Sequence, residues 1–119
     1  MTDHQPTFDA ILDLCRNRQR RIILAMLITE QQSVTLDELS RAVLNYEHHT
    51  PPEVTDDVLA ETRTALHHIH LPKLASERII TYNPDEKHVE VAEQLAEVQP
   101  VISTILDAEA ELEVSTEPS

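Results

Sequence analysis

The feature of this sequence that most constrains its fold is a helical pattern that leads directly into a β-hairpin pattern. Thr55 can cap a helix, and apolar residues then recur at helical spacing as far as Leu74. Two short runs of β-forming residues follow at 79–82 and 88–91, and the turn-forming sequence NPDEK lies between them. We therefore predict a docking helix followed by a two-stranded antiparallel hairpin.

Three more stretches have helical spacing. The first contains Phe8 and Ile11, and the second follows in RQRRIILAMLI. Residues 33–35 can form a brief edge strand, and Thr35 and Glu38 in TLDEL have the spacing of a capping box that starts the third helix. With a final amphipathic helix after the hairpin, the order predicts a mostly α protein with a small β-hairpin wing. This is a winged helix-turn-helix plus a C-terminal amphipathic helix.

The C-terminal helix carries an apolar seam with alternating spacings of three and four residues, which Glu109 interrupts. Such a seam is buried either on the core of its own chain or on a second copy, and we favour a homodimer. The predicted interface residues are Leu95, Val98, Ile102, Ile105 and Leu112. We expect a disordered N-terminus at 1–6, a winged helix-turn-helix domain at 7–91, a dimerisation helix at 92–112 and a disordered tail at 113–119.

The chain is strongly acidic, since 22 acidic residues face nine Lys and Arg residues and give a net charge of −13. Such a charge repels nucleic acid in ordinary buffer. Either the partner is itself basic, or the protein works in a very saline cytoplasm. At molar salt the Debye length is about 3 Å, and long-range repulsion nearly vanishes. We favour the saline cytoplasm, in which acidity does not exclude DNA as a partner.

Four of the nine basic residues crowd into RNRQRR at the start of the second helix. They can form a phosphate clamp. Alternatively they are a solvated helix start that Asp9, Asp13 or a carboxylate of a partner subunit neutralises. The candidate phosphate contacts are Arg16, Arg18, Arg20 and Arg21.

Further DNA contacts are expected from the docking helix and the hairpin: Arg63, Thr64, His68, Lys73 and Lys87. Because acidic residues lie among these candidates, the candidates form only a poor basic stripe. The chain also lacks a set of Arg, Asn and Gln on one helical face that would read base edges. A solvated surface of mixed charge is therefore the competing interpretation.

The sequence HHIH raises the alternative of a metal site. His67 and His70 are three residues apart on the helix and could chelate a metal ion, with Glu47, His48 or His49 as remote ligands. His70 also lies on the apolar stripe, where a hydrogen-bonded core histidine is the simpler explanation. We therefore predict no metal site and no cofactor.

Other features narrow the class of protein. No signal peptide or membrane-spanning stretch is recognisable, and the single Cys15 cannot form an internal disulfide, so we expect a cytoplasmic protein without a membrane partner. The chain contains no glycine and therefore cannot form a glycine-bearing nucleophile turn or phosphate loop. We do not expect an enzyme.

Several pieces of the sequence together resemble a haloarchaeal family of winged-helix proteins whose shared domain has no known function. They are LCRNRQRRIILAMLI, TLDELSRAV, HTPPE, HLPKL with the apolar pair and tyrosine after it, and the hairpin, and they cover about residues 7–91. The resemblance implies a winged helix, a dimer and a role in transcriptional regulation. HLPKLASERII is more distantly similar to the end of the recognition helix in small repressors, where glycine commonly stands at the position of Arg78.

These features lead to one hypothesis and two alternatives. The chain is a homodimeric winged helix-turn-helix regulator of a halophilic archaeon that binds double-stranded DNA. The first alternative is a protein-interaction module that keeps the fold without binding DNA. The second is a metal-responsive sensor based on His67 and His70.

Overall fold

The computed structural model describes residues 6–30, 33–47 and 56–116. Thr55, the predicted cap of the docking helix, lies outside this part of the chain, as do residues 117–119. In chain order the elements are α1 (Phe8–Cys15), α2 (Arg18–Glu30), β1 (Val34–Thr35), α3 (Leu36–Glu47), α4 (Asp56–Ala65), a π-helical turn (Leu66–His70), α5 (Leu71–Ser76), β2 (Ile80–Asn83), β3 (His88–Val91) and α6 (Glu93–Thr116).

The three strands form one antiparallel sheet in the order β1-β3-β2. The hairpin pairs Ile80 with Val91 and Tyr82 with Val89, and β1 adds Val34 on the other side of Val89. The predicted hairpin and the short strand before α3 are both confirmed. The fold class is confirmed as well, since the chain is mostly helical with a small antiparallel sheet and a C-terminal helix, the winged-helix arrangement.

Side-chain caps set where the first helices begin. Thr7 accepts a hydrogen bond from the Ala10 amide at 3.1 Å and starts α1. Asn17 accepts from the amides of Gln19 and Arg20, at 2.8 and 3.2 Å, and starts α2. Because capping oxygens stand at both positions, the apolar pattern from Phe8 onward is divided into two helices.

The predicted capping box is present at the start of α3. The Glu38 amide donates to Thr35 Oγ1 at 3.1 Å, and the Thr35 amide donates to Glu38 Oε1 at 2.9 Å. Two amides that have no partner within the helix are satisfied in this way.

The docking helix is one helical run, α4 to α5, with a π-helical turn inside it. The Leu71 amide donates to the Leu66 carbonyl, five residues back, and Pro72 follows in the first turn of α5. Proline has no amide hydrogen to donate, and it is tolerated in a first turn where no such bond is needed. The π turn joins the two α-helical segments.

The docking helix ends in a Schellman motif without glycine. The amide of Arg78 donates to the Ala75 carbonyl at 2.9 Å, and that of Ile79 donates to the Leu74 carbonyl at 3.2 Å. Arg78 is left-handed with φ of 62°, at a cost of about 1 kcal/mol relative to glycine. The turn therefore has the geometry that is typical of repressors with glycine at this place.

The core is aliphatic and includes most of the seam on α6. Leu95, Val98 and Ile102 are buried within the same chain, because α6 packs against α1 and α2. These three residues were predicted to form a dimer surface, but they are buried in their own chain and are not exposed to a second copy. Ile105 is partly buried against the same core, and Leu112 is 66% exposed.

Helix α6 is longer than expected. It continues through Pro100 and ends at Thr116, beyond residue 112, where the tail was expected to begin. In the described part of the chain, no helix combines the length and apolarity that crossing a bilayer requires.

Candidate functional site

Arg20, a predicted phosphate contact, is only 7% exposed. Its guanidinium donates to the carbonyls of Leu14 at 2.8 Å and Asp13 at 3.0 Å, and its Nη1 lies 3.3 Å from His70 Nδ1. Arginine can only donate, so His70 Nδ1 is the acceptor and carries no proton. Burial, followed by the nearby Arg20 charge, lowers the pKa of His70. Arg20 is thus a structural residue and is not available to a phosphate in this conformation.

Arg21 is also engaged within the chain. It makes a two-point contact with Glu109 of α6, at 2.8 Å from Nε and 3.1 Å from Nη2, and its Nη1 donates to the Cys15 carbonyl at 2.7 Å. The carboxylates at this helix start are Glu109 of the same chain, which was not among those expected, and Asp13, which was. The contact of Arg21 with Glu109 also explains why an acid interrupts the apolar seam of α6.

Two other predicted DNA contacts share one carboxylate. Lys73 Nζ lies 2.6 Å from Asp13 Oδ2, and Arg16 Nη1 lies 3.3 Å from Asp13 Oδ1. The hydrogen bond from Lys73 is the main reason that the pKa of Asp13 is lowered. Arg18 is exposed and forms no ion pair with another described residue. Of the α1–α2 junction (residues 16–21), only Arg16 and Arg18 present their charge to solvent.

A second group of cations surrounds the first turn of α3, and we call it the α3 corner: Arg41, Arg63, Lys87 and Asp37. Asp37 accepts from Arg41 Nε at 2.8 Å and from Arg63 Nη2, and hydrogen bonds from Arg41 and then Arg63 lower its pKa. Lys87 adjoins this pair, because its carbonyl accepts the Leu36 amide at 2.9 Å.

Arg63 and Lys87 were predicted as DNA contacts, and the structure brings them to the same corner. Arg41 was missed, although its spacing of four residues from Asp37 is a signal for an ion pair on a helix. Asp85 and Glu86, in the turn of the hairpin, are exposed beside Lys87. The corner is therefore a small cationic site within an acidic surface.

The outer face of α4 has a different character. A shallow groove of about 430 Å³ runs along it, and its lining residues are Ala60, Glu61, Thr64, Ala65, His68 and Ile69. Thr64 and His68, both predicted DNA contacts, lie here, whereas Arg63 does not. Arg63 and Glu61 are two positions apart and project about 160° apart around the helix axis. We call this surface the α4 outer face.

The histidines engage different partners. His67 Nδ1 lies 2.6 Å from Tyr82 Oη and ties the docking helix to the hairpin, while His70 contacts Arg20. Within the described residues, no group of three His, Cys, Asp or Glu side chains is arranged to hold a metal ion. His48, His49 and the side chain of Glu47 lie outside the part of the structure that can be described.

The match to known proteins covers most of the fold. A family model described as Domain of unknown function (DUF7344) matches residues 12–90, from within α1 to within β3. No curated protein and no solved structure matches the chain. The matched residues therefore include the docking helix and the hairpin, and the description of the family states no activity.

Proposed function

Because the chain belongs to the family described as Domain of unknown function (DUF7344), we propose its function from its geometry: it is a transcriptional regulator that binds double-stranded DNA. The fold supports this proposal, since a winged helix offers a docking helix and a hairpin to a duplex. Fold alone does not determine function, and the proposal therefore depends on a site.

The α3 corner is the observation that carries the proposal. It lies where the first turn of α3, the docking helix and the hairpin meet: Arg41 and Arg63 both bind Asp37 there, and the backbone of Lys87 bonds to the same turn. The side chains of Arg41 and Arg63 are 59% and 40% exposed. A phosphate oxygen can take the place of the Asp37 oxygens, because the planar guanidinium fork suits both groups.

We propose that the interaction takes place in the saline cytoplasm of a halophilic archaeon, and the acidity of the chain supports this. The net charge of −13 would otherwise repel a duplex. At molar salt only groups within a few ångströms interact strongly, since the Debye length is about 3 Å. Contacts of Arg41, Arg63 and Lys87 with phosphates then persist, while repulsion from distant carboxylates is screened.

The proposed set of phosphate contacts differs from the one predicted. Arg63 and Lys87 are kept and Arg41 is added. Arg20 and Arg21 are left out because they donate to backbone carbonyls of α1, and Lys73 is left out because its partner is Asp13 of α1 and not a residue of the α3 corner. Arg16 and Arg18 belong to a separate cluster, and Arg18 serves below as a comparison.

We also propose that the chain forms a homodimer, through a smaller surface than the apolar seam of α6 that was predicted. Apolar side chains that remain exposed on α1 and at the end of α6 are Phe8 at 60%, Leu12 at 40% and Leu112 at 66%. These two helices pack against each other, so a second copy can cover both. Leu112→Asp should then give monomers with unchanged helix content, by sedimentation and circular dichroism. Monomers in the unmodified protein at molar KCl would exclude the homodimer.

The test of DNA binding is a selection from a random fragment library at molar KCl, followed by titrations of the selected duplex. Arg63→Ala and Lys87→Asn should each reduce the slope of log affinity against log salt by about 0.9, the effect of one lost phosphate contact. Asparagine at 87 keeps a residue that tolerates the left-handed backbone there, where φ is 55°.

Arg18→Ala is the matched control, because it removes an exposed arginine outside the α3 corner. It should leave the slope unchanged. If no sequence is enriched, the DNA proposal fails. If Arg18→Ala lowers the slope as much as Arg63→Ala, the contact lies at the α1–α2 junction and not at the α3 corner.

A further inference from the structure

We propose that the α4 outer face binds an amphipathic helical segment of another protein, with a basic flank on that segment. This second partner is independent of DNA, because the face and the α3 corner lie on different sides of α4. The inference depends on the apolar content of the groove, on its charge, and on the π turn that forms part of it.

The groove exposes apolar surface that the fold does not need to expose. Ile69 is 56% exposed, and Val58, one turn before the groove, is 38% exposed. Ala60 and Ala65 lie between them in sequence, and their short side chains leave the depression open. A helix that lays apolar side chains into such a groove buries Ile69 without displacing the core.

The negative charge of the α4 outer face indicates that its partner is positively charged. Asp56, Asp57 and Glu61 are all exposed on α4, and no Lys or Arg lines the groove. The nearest cation on α4, Arg63, is bonded to Asp37 on the flank toward α3. A segment with Lys or Arg beside its apolar stripe is therefore complementary, whereas DNA phosphates would meet three carboxylates.

A second copy of this chain offers no free segment with the required chemistry in the residues described. The exposed end of α6 carries Asp107 and Glu111 around Leu112, so it would bring acid against acid. Arg16 is exposed at the end of α1, but Phe8 and Leu12 of that helix belong to the surface that the proposed homodimer already covers. The matching occupant is thus a different protein.

The π-helical turn supports a binding role for this face. It supplies two of the six lining residues, His68 and Ile69. In an α-helix the same residues would rotate relative to Ala60 and Ala65, since a π turn contains more residues per turn. Single π turns inside α-helices are frequent at functional sites.

The test is a display selection with a library of 16-residue helix-constrained peptides on the full chain. It is run at the lowest KCl concentration at which the chain keeps its circular dichroism spectrum. We expect enrichment of peptides that combine an apolar stripe at helical spacing with Lys or Arg beside it. These peptides should bind Ile69→Glu at least tenfold more weakly than the unmodified chain, and Glu61→Lys should also weaken them.

Tyr46→Glu is the matched control, because it places the same charge at an exposed apolar residue on another helix, and it should bind as the unmodified chain does. Ala60→Arg fills the groove from an exposed position and replaces Ile69→Glu if that variant does not fold. Enrichment of acidic peptides, or equal binding to Ile69→Glu, would overturn the proposal.

Two further outcomes would also overturn the peptide proposal, because each would show that a different molecule occupies the α4 outer face. Loss of affinity for the selected DNA in Ile69→Glu would place the duplex on this face. Conversion of a dimer to monomers by Ile69→Glu would place a second copy there. Failure of the DNA selection alone leaves the peptide result intact, so the two proposals fail separately.

Discussion

The α1–α2 junction and the α3 corner both gather arginines, yet they use them in opposite ways. At the junction Arg20 is 7% exposed, and Arg21 is bonded to Glu109 of α6. In the corner Arg41 and Arg63 are 59% and 40% exposed and share one acid. The density of cations along a sequence therefore does not locate a cationic surface. What decides is how far each guanidinium stays exposed to solvent after the acceptors within the fold have bound it.

The two regions differ because they lie at opposite kinds of helix end. The last turn of α1 leaves carbonyls without helical partners, and Arg20 and Arg21 donate to those of Asp13, Leu14 and Cys15. The first turn of α3 instead leaves amides, which the Thr35–Glu38 capping box satisfies. The arginines of the corner are thus not needed by the backbone and can bind a ligand.

The strongest test of this comparison is Arg20→Ala. It leaves the Leu14 carbonyl without its side-chain donor, removes one of two donors to the Asp13 carbonyl and opens a space beside His70, so the free energy of unfolding should fall by about 2–3 kcal/mol. The matched control is Arg18→Ala, which should change it by less than about 0.5 kcal/mol because Arg18 is exposed. Urea denaturation in KCl measures both. Equal effects would mean that Arg20 does not differ structurally from its exposed neighbour.

The pH dependence of the free energy of unfolding tests the same junction, because Arg20 of the junction contacts His70. Its pKa is lowered from the ordinary 6.5, by burial and then by Arg20. The unfolded chain therefore binds this proton more readily than the folded chain. The contribution to stability is full above about pH 6.5 and is lost as the pH falls through the lower folded pKa. Urea denaturation between pH 8 and pH 5 should show this loss.

Two histidine variants make the pH test specific. His70→Gln removes the titrating group and should flatten the dependence between these pH values. His68→Gln changes an exposed histidine on the α4 outer face and should leave the dependence as it is. Parallel curves for the unmodified chain and His70→Gln would show that Arg20 does not require a neutral His70.

Features that depend on neighbouring residues could be predicted from the sequence. The hairpin at 79–91, the capping box at Thr35 and Glu38, and the helical order all follow from local spacing and turn chemistry, and the structure confirms them. The resemblance to small repressors also marks Arg78 as a position where glycine is common, and the structure shows this residue left-handed in a Schellman motif.

Features that depend on distant partners could not be predicted. RNRQRR has the same composition whether its arginines face solvent or acceptors such as His70, 50 residues away from Arg20. The seam of α6 has the same period whether it covers its own core or a second copy, and Leu95, Val98 and Ile102 are buried in the core. The π turn also has no simple spacing signal. Burial and partner choice come from tertiary packing, which local patterns do not contain.

Asp37→Asn tests the α3 corner directly. Asp37 holds two arginines, is 46% exposed, and its loss should change the free energy of unfolding by less than about 1 kcal/mol. It releases both guanidinium groups, so affinity for the selected duplex should rise, roughly fivefold, with a steeper salt dependence.

Fluorescence anisotropy over a series of KCl concentrations measures this gain. Asp107→Asn removes one exposed acid from α6 and has the same effect on net charge, so it separates release of the arginines from a change in total charge. Equal gains in the two variants would mean that only net charge matters and that the α3 corner has no special role. A gain confined to Asp37→Asn would locate the phosphate contact at Arg41 and Arg63, because only that substitution frees them.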